Sequence, residues 1–347
     1  SYEDVYVRST ASIWEQLIEF YYPHDYIASI KEDKKVGYEG GLVINRQGLY
    51  DNVYKIDISS MYPNIMMNYL IHSRKDSNKV MLSLLKLFTE KRLELKKKAK
   101  QGDETANLIQ ESLKILINSA YGFLGTGGYA FNDMEASAAV TAYGRAILRL
   151  MVDFIESKNG YIIECDTDGI YFSSPNGEAI FNELVEYLKP LNFSIELEYK
   201  DVILFADMKK NYVIIYKDKD KVTVKGSIWR GRDKSYLVRK WGIQYMKALV
   251  MDKAKAEQMK QEMYALIQNG KAWDWLAKTM KVSATSTTLK SAGFKEGDRV
   301  RFCYKKHRSK NSEISLSPDQ CYDIRYYLKE FDKLLKRINK VAFRGDK

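Results

Sequence analysis

Six residues, Glu164-Cys165-Asp166-Thr167-Asp168-Gly169, constrain this chain more than any other stretch. They sit between two β-rich apolar runs, Tyr161-Ile162-Ile163 and Ile170-Tyr171-Phe172. Runs of that kind around an Asp/Gly turn specify a β-hairpin. Two carboxylates two residues apart at its tip lie close together, and their repulsion is costly unless they share a cation. Hard oxygen ligands suit Mg²⁺, which takes one or two carboxylates plus substrate phosphates rather than an all-protein cage. On its own the pattern is more often a solvated turn, since Asp and Gly are ordinary turn formers. It also matches part of a calcium loop, without the helices, later acidic positions or closing Glu that such a loop needs.

Bulk properties narrow the choice. The chain has 347 residues, enough for two or three subdomains, and 45% hydrophobic with 29% charged residues is a globular balance. A formal charge of +11 points to a polyanionic partner, nucleic acid or an anionic membrane surface. No 18-residue apolar run and no basic-then-apolar leader is present, which predicts a protein that is neither membrane-spanning nor secreted. Cys165, Cys303 and Cys321 are too scattered for a disulfide framework or a zinc module, and His24, His72 and His307 give little for imidazole chemistry. Carboxylates are left to carry any metal.

Along the chain, paired glycines Gly40-Gly41 allow close approach of another backbone or a simple turn. The run Val53 to Ile65 reads as a buried strand ending at Asp57, with Pro63 in the first turn of a following helix. The N–H groups of the turn at 59–62 form a natural phosphate seat, although Asp57 serves equally well as a local cap. Helices are predicted over Val80–Lys100 and from Thr105 to Gly122, an antiparallel hairpin. Arg92 and Lys96 share a face of the first, and Lys114, Asn118 and Tyr121 form a stripe on the second. A charged helix face is usually just solvated; 91–98 fits that description, whereas the 114/118/121 stripe does not. A long helix at 136–155 leads into the acidic hairpin. Beyond it come a helix at 179–188, strands at 193–199 and 209–216, and a hairpin to 222–226, an α+β layer. From residue 236 the pattern reads as helical, over 247–263, 273–280 and 322–341, with a loop region at 293–308.

Three elements, in this order, resemble the polymerase motifs of family B DNA polymerases. Asp57-Ile58-Ser59-Ser60-Met61-Tyr62-Pro63-Asn64-Ile65 resembles D-x-x-S-L-Y-P-S-I. Lys114-Ile115-Leu116-Ile117-Asn118-Ser119-Ala120-Tyr121-Gly122 resembles K-x-x-x-N-S-x-Y-G, and Asp166-Thr167-Asp168 resembles the core of Y-x-D-T-D-S. Secondary likenesses are Tyr38 to Gly41 with Y-x-G-G, Arg92/Lys96 with R-x-x-x-K, Lys210 to Tyr212 with K-x-Y, and Tyr322 to Leu328 with a late thumb signature. Glu164 stands where the family has Tyr and Gly169 where it has Ser; both aspartates remain, but contacts near the primer end are altered. The residues before Tyr38 are too few for the exonuclease domain that usually precedes the polymerase. The interval from Tyr62 to Arg92 is too short for the insertion of protein-primed members. The chain thus resembles palm, fingers and thumb alone, from a split gene or a truncated product.

The resemblance implies an α+β right-hand architecture with an antiparallel-sheet palm, helical-hairpin fingers and a mainly helical thumb. Its divisions would be 1–74 (N-terminal segment and first palm part), 75–122 (fingers), 123–235 (second palm part) and 236–347 (thumb). The implied activity is template-directed addition of dNTPs to a primer 3′-OH, in replication or repair. Two Mg²⁺ ions, with Mn²⁺ as a substitute, would be held by Asp57, Asp168, Asp166 and Ile58, the three aspartates being catalytic. Glu198 is a further acidic candidate. Arg92, Lys96, Lys114, Asn118, Tyr121, Ser60, Met61 and Tyr62 would bind nucleotide, Tyr62 as the gate against a 2′-OH. Gly40, Gly41, Lys210, Tyr212, Arg232 and Tyr326 would contact DNA. The implied partners are primer–template DNA, dNTPs and a separate exonuclease or N-terminal polymerase subunit, in the cytoplasm, or the host-cell cytoplasm for a viral protein. The competing expectation is a non-catalytic DNA-binding subunit that kept the fold and lost the chemistry; primer extension separates the two. A calcium-binding or membrane-surface protein predicts no DNA affinity.

Overall fold

The computed structural model describes residues 9–30, 37, 39–308 and 312–343; Tyr38 therefore lies outside the described residues. The chain divides into two units, one from Ser1–Ile44 with Tyr54–Glu198 and the other from Asn45–Val53 with Tyr199–Lys347.

The first unit opens with α1 (Thr10–Glu19) and α2 (His24–Ser29). Trp14 and Ile18, four apart on α1, are fully buried. The strands β1 (Val43–Asn45) and β2 (Gly48–Ile58) follow, then α3 (Met61–Asn68), the hairpin α4 (Val80–Lys100) and α5 (Glu104–Leu124), and the long α6 (Met134–Ser157). The acidic stretch forms the expected antiparallel hairpin, β3 (Tyr161–Asp166) with β4 (Gly169–Ser173). Next come α7 (Gly177–Leu188) and β5 (Ile195–Met208). Strand order in this unit is β1-β3-β4-β2, with the start of β5 beside β2. One apolar core underlies it, with Ile56, Ile65, Phe123, Phe131 and Phe172 among its fully buried side chains.

The α4–α5 hairpin is anchored at its base rather than at its tip. Lys79, the residue before α4, has φ +54° and gives no side-chain cap. Buried Asp76 does that work instead, accepting from Val80 N–H (3.0 Å) and Met81 N–H (2.9 Å). Tyr22 donates its hydroxyl to the same carboxylate at 2.6 Å, and burial with that contact pushes the phenol up to about 12. Trp14 Nε1 donates to Leu116 O at 3.0 Å, and Glu15 accepts from the N–H groups of Ala130 and Phe131. The N-terminal helix thus braces α5 and the turn after it. That second helix runs past Gly122 to Leu124, so the expected stop is two residues early.

In the second unit β5 pairs with β6 (Asn211–Tyr216) and β6 with β7 (Val222–Lys225), all antiparallel. Two of the helical expectations fail here. The stretch at 247–263 is split into α8 (Ile243–Met251) and α9 (Lys253–Gln268), because extended Asp252 accepts from Lys255 N–H and starts a new helix. Residues 273–280 hold only the short α10 (Trp273–Leu276), after which Ala277 turns extended and β8 (Lys278–Lys281) begins. After α11 (Thr287–Ser291), the segment expected as loop contains β9 (Arg299–Lys306), paired with β8 and with β10 (Glu313–Ser315). A three-stranded sheet thus stands beside the helices, which end with α12 (Ile324–Ala342). Among the described residues no helix is long and apolar enough to cross a membrane.

Candidate active site

The site begins with the two-residue period of β2. Ile56 and Ile58 enter the core, while Lys55 and Asp57 keep partly exposed side chains on the opposite face. The strand ends where Ser60 adopts φ +47° and α3 starts, with Pro63 in its first turn as expected. Ile58 N–H donates to Asp168 O and Ser59 N–H to Ser194 O, each at 2.9 Å. The end of β2 is thereby tied to the hairpin tip on one side and to the approach to β5 on the other.

The hairpin tip is tightly determined. Thr167 sits at φ +64°, a left-handed conformation that costs energy for a threonine and persists only where the surroundings enforce it. Asp168 N–H donates to Asp166 O at 2.8 Å. Gly41 packs behind: a Cβ there would lie 3.2 Å from Thr167 Cα and 3.5 Å from the Tyr62 hydroxyl. Gly40 faces open space, but its carbonyl and that of Glu39 accept from Arg145 Nη1 at 2.7 Å each. A bulge in β3 between Ile162 and Glu164 shifts the register just before the acidic residues, and Glu164 is buried rather than facing a primer.

Asp57 and Asp168 line one cavity of about 410 Å³. Ile58, Ser59 and Ser60 border it from β2 and the turn, and Glu196 from β5. The same cavity is lined by cations, Lys55 from β2, Arg92 and Lys96 from α4 and Lys114 from α5, and by Asn118 from α5. Arg92 Nε is buried without a hydrogen-bond partner, a donor left over in a cavity that carboxylates also line. Four of the stripe and face residues singled out in sequence therefore meet two of the three aspartates. Asp166, Tyr62 and Tyr121 are outside the lining. Met61 is buried in the core, so of that residue only the main chain is available to a nucleotide. Tyr62 packs against Tyr121, ring centroids 4.5 Å apart and planes tilted by 38°, and a Cβ at Gly144 would come 3.0 Å from its ring. The remaining candidates lie in the second unit: Lys210 at φ +60° in the β5–β6 turn, Tyr212 on β6, and Arg232 beside Arg239 and Arg299. Tyr326, on α12, stacks on His307 at 4.1 Å.

Sequence reading missed Lys55, Glu196 and Arg145. Lys55 Nζ donates to Asp57 Oδ2 at 2.7 Å and to Glu198 Oε2. Burial pushes Asp57 up to about 6, helped by neighbouring Glu198 and opposed by Lys55. Burial acts to lower Lys55, but its hydrogen bonds to the two carboxylates prevail and hold it above the ordinary lysine value. Gly169 completes this packing. A Cβ there would fall inside contact distance of Asp57 Oδ1 and 3.2 Å from Lys55 Cε. The period of β2 held the signal for Lys55, since residues two apart on a strand share a face.

Among the described residues no three His, Cys, Asp or Glu side chains converge closely enough to hold a metal by themselves. Asp57 and Asp168, with the Ile58 carbonyl, are hard oxygen donors of the kind a magnesium ion uses when substrate phosphates complete its shell. The donor set fits such an ion on those terms and not as a closed protein cage.

Residues 68–292 match the family model described as DNA polymerase family B; the matched span includes Asp166, Asp168 and the α4–α5 cations and begins after Asp57. A DNA polymerase of Thermococcus sp. (strain 9oN-7) is 27% identical over 290 residues, covering 71% of this chain and 37% of that protein. DNA polymerase 1 of Aeropyrum pernix is 26% identical over 234 residues, covering 58% and 24%. A solved structure of the family B DNA polymerase from Pyrobaculum calidifontis superposes with a TM-score of 0.67 at 21% identity, over 97% of this chain and 51% of that one. The chain thus spans little more than a third of the Thermococcus protein's length. A family match over residues 68–292, well over half of the chain, settles its kinship: this chain belongs to DNA polymerase family B.

Proposed function

We propose that this chain carries the polymerase centre of a template-directed DNA polymerase, adding dNTPs to a primer 3′-OH. The observation that carries the reading is the single cavity in which Asp57 and Asp168 face Arg92, Lys96, Lys114 and Asn118. Carboxylates and cations around one cavity suit a metal-bound triphosphate, whose oxygens need both partners. In this reading residues 1–74 supply an N-terminal segment and the first part of the palm, 75–122 the fingers, 123–235 the second part of the palm and 236–347 the thumb.

A pair of Mg²⁺ ions on Asp57 and Asp168, when bound, would acidify the primer hydroxyl and neutralise the leaving pyrophosphate. The chain's own residues supply position and charge. Arg92, Lys96 and Lys114 hold the phosphates, and a closed, dry cleft strengthens their effect on charge that builds up during transfer. The N–H groups at Ser60 and Met61, at the start of α3, offer further donors. Asp166 stands at the hairpin tip as an auxiliary acid. Lys210, Tyr212, Arg232 and Tyr326, with Gly40 and Gly41, are assigned to the primer–template duplex, where phosphate contacts give sequence-independent grip.

Tyr62 is assigned the sugar gate because its ring packs against Tyr121 and its neighbours Gly41 and Gly144 carry no side chain to displace it. Tyr62→Ala is expected to raise ribonucleotide incorporation at least roughly tenfold; unchanged sugar selection in competition assays removes Tyr62 from that role. The function as a whole is tested by primer extension with Mg²⁺ and dNTPs. Failure to extend, by the chain alone and with a complementing exonuclease or N-terminal subunit, leaves the non-catalytic DNA-binding reading in its place.

A further inference from the structure

The polymerase reading uses Asp57 as a metal ligand, and that carboxylate also has a cation from the chain itself. Lys55 reaches it from two residues earlier on the same strand face, at 2.7 Å, and bonds Glu198 with the same ammonium. The Lys55 side chain is only 14% exposed, and its Nζ lies 5.5 Å from the centroid of the Tyr171 ring. Gly169 closes the other side, where any side chain would collide with Asp57 Oδ1. Asp57 therefore lies between a glycine and an ammonium, with Oδ2 accepting from Lys55 and Oδ1 beside Gly169.

We propose that Lys55 is a positioning residue that acts as a built-in counter-ion: it holds Asp57 and Glu198 together and keeps free divalent ions from settling on them before nucleotide arrives. The proposal rests on the metal reading of Asp57. Two neighbouring carboxylates with Lys55 between them carry a net charge of −1; without it they carry −2, a far better seat for a divalent ion. Lys55 also occupies Glu198, so Glu198 is withheld from the metal set. An ion that comes with a triphosphate meets the site with extra ligands of its own and with the charges of Arg92, Lys96 and Lys114 already matched to phosphate. A bare ion has neither advantage. Nucleotide and metal then enter together, and the chain is spared a tightly held ion that would have to be displaced.

The test is Mn²⁺ binding to the whole chain without nucleotide, read from the loss of the free-ion electron paramagnetic resonance signal. Lys55→Met is expected to tighten Mn²⁺ binding about tenfold or more relative to the parent. Lys55→Arg, which keeps the cation, should bind like the parent, and the gain should vanish in Lys55→Met combined with Asp57→Asn. Circular dichroism checks the fold, and Lys55→Gln carries the same expectation where Lys55→Met does not fold. Equal or weaker binding in the folded neutral variant overturns the counter-ion role while leaving the metal reading intact. Absence of Mn²⁺ binding in every variant, with and without dNTP, overturns both.

Discussion

Asp168→Ala is expected to abolish primer extension, by about 10³-fold or more, while duplex binding and the melting midpoint stay near the parent's. Removing one of two carboxylates from a two-carboxylate donor set takes away several kcal/mol of charge stabilisation at the reacting phosphorus, and each ~1.4 kcal/mol is a factor of ten in rate. Truncating the side chain keeps the main-chain bonds, in which Asp168 O accepts from Ile58 N–H and Asp168 N–H donates to Asp166 O. The side chain itself is exposed, so its removal leaves no cavity. A rapid-quench primer-extension assay, paired with fluorescence anisotropy on labelled duplex, separates chemistry from binding. Normal extension by the variant would refute the metal assignment.

The second large effect is expected from Gly169→Ser, which restores the residue that the family motif usually carries. Grafting a family residue into a family fold is ordinarily mild. Here the new Cβ would meet Asp57 Oδ1 and press on Lys55 Cε, so the carboxylate has to move. Displacing a ligand by about 1 Å in a site of this kind costs on the order of 10²-fold in rate. The expected signature is a loss of about that size in the maximal rate of extension, with a fold close to the parent's by circular dichroism. Full activity in Gly169→Ser would mean that the Asp57 carboxylate has room the structure does not show.

Much of this arrangement was legible because local signals agreed. The β3–β4 hairpin follows from apolar runs around Asp and Gly, and the α4–α5 cations from spacings of three and four. Those same spacings could not reveal that the two helices face Asp57 and Asp168, which is a property of packing between segments far apart in sequence. Strand periodicity puts Lys55 on the face of Asp57, but spacing alone does not reveal that its ammonium bonds that carboxylate and Glu198. The β9 strand was hidden for a different reason. Val300 and Phe302 alternate with Arg299 and Arg301 as a half-buried strand requires, but the density of charge made the stretch look like a loop. The helical pattern over 247–263 runs across Asp252, which as a helix cap divides α8 from α9.

The buried carboxylate of Asp76 has a mechanical consequence for α4. With that end of the helix pinned through two N–H groups and the Tyr22 hydroxyl, any tilt of the α4–α5 pair is a rotation about its base. Twelve residues at about 1.5 Å each put Arg92 roughly 18 Å from Val80 along the axis. A tilt of about five degrees then sweeps Arg92 through roughly 1.5 Å, and Lys96, one turn farther out, through about 2 Å. On the proposed reading, the guanidinium and ammonium thus move farthest for a given tilt of the pair, and a change of about five degrees alters their reach to a phosphate.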